Sequence, residues 1–361
     1  MTTSLWNPIT IGEIHLEHRL AMAPMTRSRS TPEGVPTGMN AEYYAQRVST
    51  ALTITEGTQP SDDGQGYLLT PGIHTDEHIA GWRRITDEVH GAGGRIVIQL
   101  MHVGRVAHPS NTPHGRQPVA PSVVKPDGKM FTASGPQEMP EPRALSEQEI
   151  TDTVRDFRRA AAAIADGADG VEIHGANGYL VQQFLASNAN QRTDRYGGSI
   201  PNRIRFAVEV ASAVAEKIGP GRTGIRISPG STFNDIVEDD VPELYGALVA
   251  ALAPLDLAYL HLLHGGDEDM LAAIRRDWPG ALVLNRPGAD IETRAEDVEG
   301  GLADVIAVGT MVLANPDLVA RVKSGAPLNE PDKSTFYGGD ERGYTDYPTL
   351  QTTIAAGARV A

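Results

Sequence analysis

The chain has 361 residues, with 46 Asp and Glu against 31 Lys and Arg, a formal net charge of −15 and no cysteine. An acidic balance without a dense Lys/Arg cluster argues against a nucleic-acid partner, and the missing cysteines exclude disulfides, thiol nucleophiles and thiolate metal sites, as suits a reducing compartment. The length exceeds the usual single domain but fits one large α/β barrel carrying an insertion, as well as two domains.

In chain order, the first residues, Met1 to Pro8, lack the basic start and apolar core of a secretory signal. The longest apolar region, Ala247 to Leu263, is broken by Pro254 and Asp256 and so does not serve as a membrane span. The expectation is a cytoplasmic protein with no membrane association. Eight short aliphatic or β-branched runs recur: Arg19 to Met25, Ala51 to Gly57, Arg95 to His102, Gly170 to Ala176, Thr223 to Pro229, Leu257 to Gly265, Ala281 to Gly288 and Val305 to Met311. Most are separated by segments of helical periodicity, a pattern that predicts a parallel sheet with helices outside, and eight repeats predict a closed (β/α)8 TIM barrel. One helix is signalled by Ser146 as N-cap with Glu149 three residues on, followed by an apolar face of Ile150, Val154, Phe157, Ala161 and Ile164. A second runs along Ile204, Val208, Ala211, Ala215 and Ile218 and stops at Gly219-Pro220-Gly221.

Between the third and fourth runs the chain is too long for a simple connection. Pro109 to Pro142 is rich in Pro, Gly, Ser and Thr, and reads either as a small hairpin cap over the strand ends or as a surface loop. The reading is a single domain over residues 1–361 with an insertion at roughly 103–145. The segment from Ser334 to Pro348 is irregular too, but Phe336, Tyr337, Tyr344 and Tyr347 predict that it packs onto something.

The carboxyl ends of parallel strands are where such folds keep their chemistry. There the sequence places Pro24-Met25-Thr26, Glu56-Gly57-Thr58, Gln99 with His102, His174 with Asn177 and Tyr179, Arg226, Asn285-Arg286-Pro287-Gly288, and Gly309-Thr310. Each has a plainer use. Asn177 could cap the next helix, His174 could be a satisfied core histidine, Arg226 could pair with Glu172 inside the barrel, and Gln99 could satisfy backbone groups. His102, His174, His261 and His264 come from separate segments without metal-ligand spacing, so no metal is expected. The Gly-x-Ser-x-Gly elbow, the phosphate-gripping loop and the dinucleotide fingerprint are also missing. What remains is a barrel mouth whose amides, hydroxyls and guanidinium suit a large polar heterocycle.

The strings Arg19 to Arg27, Gln99 to Arg105, His174 to Leu180, Asn190 to Ser199, Gly224 to Pro229, Ala314 to Leu318 and Gly343 to Pro348 resemble those of the old yellow enzyme family over nearly the whole chain. The resemblance implies an FMN-containing barrel that reduces activated alkenes with NADPH or NADH, closest in kind to the bacterial branch acting on enones, nitroalkenes and nitrate esters. It puts Pro24, Met25 and Thr26 beside the flavin, a backbone contact at Gly57, Gln99 on the pyrimidine edge, and Arg226 where charge collects on reduction. Arg286, Gly288, Gly309 and Thr310 fall at the phosphate end. His174 and Asn177 would grip the substrate oxygen, Tyr179 would donate the proton, and Tyr67, Met101, Asn234 and Tyr344 would line the substrate space. The partner implied is a small electrophilic alkene, with the enzyme a monomer or homodimer.

The chain departs from the family pattern in three places. Met101 stands where Trp is usual, Asn177 replaces a second histidine, and Thr310 replaces the arginine that holds the FMN phosphate. Arg286 is the cation expected to compensate for that loss. Two alternatives stay open: a biosynthetic reductase or isomerase acting on one enone, and a non-redox barrel with weakened flavin binding.

Overall fold

Eight β-branched or aliphatic runs form eight parallel strands that close on themselves: β1 (Leu20–Met22), β2 (Leu52–Ile54), β3 (Ile96–Leu100), β4 (Gly170–Gly175), β5 (Thr223–Ile227), β6 (Tyr259–Leu263), β7 (Ala281–Asn285) and β8 (Val305–Val308), with β8 pairing back onto β1. The computed structural model describes residues 4–165 and 167–352. Each strand is shorter than its run because the polar carboxyl ends leave the ladder and become the mouth.

Alternation along the strands builds the interior in layers. At the amino-terminal end, Ala21, Leu52, Val97, Tyr259, Val283 and Val305 pack with Ile11, Ile14 and Leu16 of a short hairpin. Two residues further along on the same parity come Gln99, His174, Arg226 and His261, so one barrel carries an apolar floor and a polar upper layer. Glycine is required at 224, because a Cβ there would lie 2.4 Å from the Tyr259 ring that crosses it.

The helices form as their caps and stripes dictate. Ser146 and Glu149 make a reciprocal capping box on Glu147–Ile164, whose Ile150, Phe157 and Ala161 are buried; the Ile164 side chain lies outside the described part. Arg205–Ile218 packs beside it and ends at Gly219; its buried face is Phe206, Ala207, Val210, Ala211, Val214, Ala215 and Ile218, so the expected stripe holds at Ala211, Ala215 and Ile218 while Val208 is only partly buried. Burial of each such large apolar side chain contributes roughly 1.5–3 kcal/mol.

The long connection after β3 contains an antiparallel hairpin, Lys129–Thr132 with Gly135–Glu138, and a short parallel pair, Val119–Ala120 with Arg143–Ala144. Its Met130, Phe131 and Met139 face the barrel mouth. The C-terminal aromatics pack as well. Arg27 donates to the carbonyls of Phe336 and Gly343, and its guanidinium lies 5.0 Å from the Tyr344 ring centre. This ties the strap at 334–345 to the end of β1.

Candidate functional site

The barrel mouth opens into a cavity of about 1070 Å³, at the upper end of the range for small-molecule and cofactor sites. Most of the expected residues meet there from separate strands: Pro24, Met25 and Thr26 after β1, Gly57 after β2, Gln99 and Met101 around the end of β3, His174, Asn177 and Tyr179 at β4, Arg226 on β5, Gly288 after β7, and Gly309 and Thr310 after β8, with Tyr67 and Asn234 on the flanking loops. Gly57 allows close backbone approach, since a Cβ there would lie 2.5 Å from the Met101 sulfur.

The polar layer beneath the cavity is a connected set. Gln99 donates its amide to Glu172 Oε1 at 2.7 Å, and His261 Nδ1 lies 2.8 Å from Glu172 Oε2, all fully buried or nearly so. Burial opposes the Glu172 charge, but His261, Arg226 and Gln99 outweigh it and hold its pKa below the usual carboxylate value. The plainer alternative for Arg226, an ion pair with Glu172, is not made. The register sets Arg226 opposite His174 rather than Glu172, and the carboxylate is taken by Gln99 and His261. Arg226 is therefore a buried guanidinium whose Nε has no hydrogen-bond partner, and it faces the cavity. Glu172→Ala would leave two buried polar groups, the Gln99 amide and the His261 ring, without their shared partner and is expected to cost about 3 kcal/mol, read as a lower denaturation midpoint. An unchanged midpoint would show that the carboxylate does not organise this layer.

Above this layer stand His174, Asn177 and Tyr179. The backbone N–H of Ala176 donates to His174 Nδ1 at 3.3 Å, which leaves Nε2 to carry the ring proton toward a ligand. Burial, then the Arg226 and His261 charges, push the His174 pKa well below its ordinary value, so the ring is a neutral donor at pH 7. Asn177 does not cap a helix. Its φ of +56° puts it in a left-handed turn, its N–H donates to the Ser228 hydroxyl, and its carbonyl accepts from the Asn234 amide. The following helix, Leu180–Leu185, starts after Tyr179, so the Asn177 side chain is available to the cavity. The Tyr179 hydroxyl lies 3.0 Å from that of Tyr67, and its ring meets His174 edge-on at 4.9 Å. Burial and the neighbouring Tyr67 raise the Tyr179 pKa well above the usual phenol value, which keeps the proton on it.

Two buried histidines set a pH signature. His102 is held down to about 3 by burial, and His174 is depressed in the same direction. Unfolded histidines take up protons near pH 6.5 whereas these do not, so the stability they contribute is present above pH 6.5 and lost as pH falls below it. The melting temperature is expected to drop between pH 6.5 and 5, before most carboxylates titrate; a flat profile there would contradict the assignment.

Two expected residues are elsewhere. Tyr344 is fully buried, stacked 4.1 Å from the Tyr43 ring, with its hydroxyl accepting from Asn40. It anchors the C-terminal strap from below, and the strap's Phe336 and Tyr337 line the cavity in its place. Arg286 does not line the cavity: its Nε and Nη2 bind the Asp297 carboxylate at 2.9 Å each, and its Nη1 reaches Glu268. An arginine that the sequence reading passed over, Arg294, lines it instead. It lies on the helix Ile291–Glu299 with Ala295 and Val298, and a cation on that apolar stripe was the available signal.

A closed parallel barrel whose carboxyl-end cavity is lined by two buried guanidiniums, Arg226 and Arg294, outside any ion pair among the described residues suits an α/β-barrel enzyme that holds a large anionic cofactor. Comparison with known proteins specifies it. The family model described as NADH:flavin oxidoreductase / NADH oxidase matches residues 4–329. A probable flavin mononucleotide-dependent alkene reductase of Leishmania infantum is 43% identical, over 95% of this chain and 96% of its own. Among solved structures, morphinone reductase superposes with a TM-score of 0.93 at 42% identity, covering 98% of each chain. The old yellow enzyme homologue of Zymomonas mobilis gives 0.93 at 38%, covering 96% of this chain and all (100%) of its own. The chain belongs to this flavin oxidoreductase family, the old yellow enzyme family, with FMN as cofactor and NAD(P)H as reductant.

Proposed function

We propose that the protein is an ene-reductase that saturates the activated C=C bond of enones, nitroalkenes and related small electrophiles. The observation that carries this reading is the joint placement of a neutral His174 donor, the Asn177 amide and a protonated Tyr179 in one cavity.

The residues present fit FMN. Arg226, whose Nε is unpartnered, would hold the flavin's negative charge at the cavity floor, and Gln99, with its amide nitrogen given to Glu172, would have its carbonyl end free to accept a hydrogen bond from the flavin. Thr26 and the Gly57 backbone border the same space. When bound, FMN supplies the hydride.

The chain's own residues do the rest. His174 Nε2–H and the Asn177 amide donate to the substrate's carbonyl or nitro oxygen and draw charge from the β-carbon. Both donors are fixed before substrate arrives, one by the Ala176 N–H and the other by the left-handed turn, so little reorganisation is needed as charge develops. Tyr179 gives its proton to the α-carbon, and Tyr67, half-buried, links that hydroxyl toward the outside for resupply. Met130, Met139, Tyr67 and Met101 form an apolar wall against which the carbon skeleton rests.

The test is turnover of 2-cyclohexenone with FMN and either NADPH or NADH under anaerobic conditions, with product analysis. Formation of cyclohexanone is expected. Failure to reduce cyclohexenone, a nitroalkene or a maleimide with either nicotinamide would sink the reading. We place the enzyme in the cytoplasm as a monomer or homodimer, in line with its acidic, cysteine-free composition.

A further inference from the structure

Thr310 stands where the resemblance to the family places a phosphate-binding arginine, and the cation expected to replace it, Arg286, is engaged by Asp297 and Glu268. FMN retention then requires another cation at the end of the cavity formed by β7 and β8, where α/β barrels commonly bind phosphate. We propose that Arg294 is that cation, an assignment that rests on the chain's binding FMN.

Arg294 is 5% exposed and borders the cavity together with Asn285, Pro287, Gly288, Gly309 and Thr310. Its Nε donates to the Ala289 carbonyl at 3.2 Å and its Nη1 to the Ala307 carbonyl at 3.1 Å, which hold the guanidinium between the loop after β7 and strand β8. Neither bond neutralises its charge, and among the described residues no carboxylate lies within ion-pair distance of it. Asp297, three residues further along the same helix, has both oxygens on Arg286. A buried guanidinium with hydrogen bonds but no counter-ion is costly unless an anion completes it. The FMN phosphate is the anion that a flavin barrel brings to this end.

The two arginines thus divide the work. Arg286, clamped between Asp297 and Glu268, occupies the carboxylate that would otherwise be free to pair with Arg294. Arg294, left with an unused donor edge, meets the phosphate with charge-assisted hydrogen bonds. This is a relocation from the strand-end position to a helix that lies outside the motif in which the family's arginine sits.

The test compares FMN with riboflavin, which lacks the phosphate, by fluorescence quenching on apoprotein. The wild type is expected to prefer FMN, and Arg294→Ala to weaken FMN by about ten- to a hundredfold while leaving riboflavin affinity unchanged. Equal losses for both ligands, or an Arg294→Ala protein that holds FMN as tightly as the parent, would overturn the assignment. If the alanine variant does not fold, Arg294→Gln, which removes the charge and keeps much of the side chain, serves: a selective FMN loss supports the proposal, and no loss or an equal riboflavin loss overturns it. The Arg286→Ala/Asp297→Asn double variant removes the neighbouring ion pair as a unit and is expected to retain the FMN preference. Loss of that preference in the double variant, with Arg294→Ala unaffected, would assign the cation to Arg286. A wild-type protein that binds neither flavin would instead reject the cofactor reading itself.

Discussion

Tyr179→Phe is expected to slow reoxidation of the reduced enzyme by an enone by about 10²–10⁴-fold, the range for loss of a positioned general acid, while reduction by NAD(P)H keeps its rate. The split follows from where the hydroxyl sits. Tyr179 is buried, retains its proton because desolvation and Tyr67 raise its pKa, and shares the cavity wall with the two donors that hold the substrate oxygen. A phenylalanine preserves the ring's edge contact with His174 and removes only the proton. Stopped-flow spectroscopy resolves the halves separately. Unchanged reoxidation would mean that the α-carbon is protonated from another source, and equal slowing of both halves would mean that the ring supports the cavity rather than the chemistry.

The second large effect is expected from removing the oxygen grip. His174→Ala/Asn177→Ala should lower kcat/KM for cyclic enones by roughly 10²–10³-fold, as for the loss of preorganised donors at a developing oxyanion. Bound FMN should be retained, because its proposed anchors are Arg226, Gln99 and Arg294. The neutral state of His174 adds a condition on pH: with its pKa pushed well below the ordinary value, the ring does not change charge between pH 6 and 8. The rate of the oxidative half-reaction should therefore show no histidine titration in that window. Steady-state rates that bent sharply near pH 6.5 would indicate an imidazolium in the grip, and with it a different polarity for the site.

The barrel and most of its mouth were legible in the sequence because strand parity and strand-end position constrain them tightly. A run such as Gly170 to Ala176 has one buried solution in a closed parallel sheet, and its polar ends must emerge at one rim. The helix at Ser146 was legible for an equally local reason, the reciprocal Ser146 and Glu149 cap. The misses come from interactions that sequence spacing does not encode. Arg286 looked available because it follows β7, yet Asp297 and Glu268, eleven and eighteen positions away, claim its guanidinium. The family resemblance gave Tyr344 a lining role, but cation–π contacts with Arg27 and Arg29 and stacking on Tyr43 draw it beneath the strap, as the segment's aromatic content had suggested. The alternative reading of Arg226 as a partner of Glu172 fails for the same kind of reason, because Gln99 on β3 and His261 on β6 take both carboxylate oxygens.

Those corrections bear on one claim, that this cavity holds FMN and passes reducing equivalents to an activated alkene. The visible spectrum of the purified protein reconstituted with FMN tests it most directly. The expected result is a yellow protein that keeps its colour through dialysis, is bleached anaerobically by NADPH or NADH, and regains its colour when 2-cyclohexenone is added. A protein that stays colourless after FMN is supplied, or that is bleached but not recoloured by any enone, nitroalkene or maleimide, would contradict it.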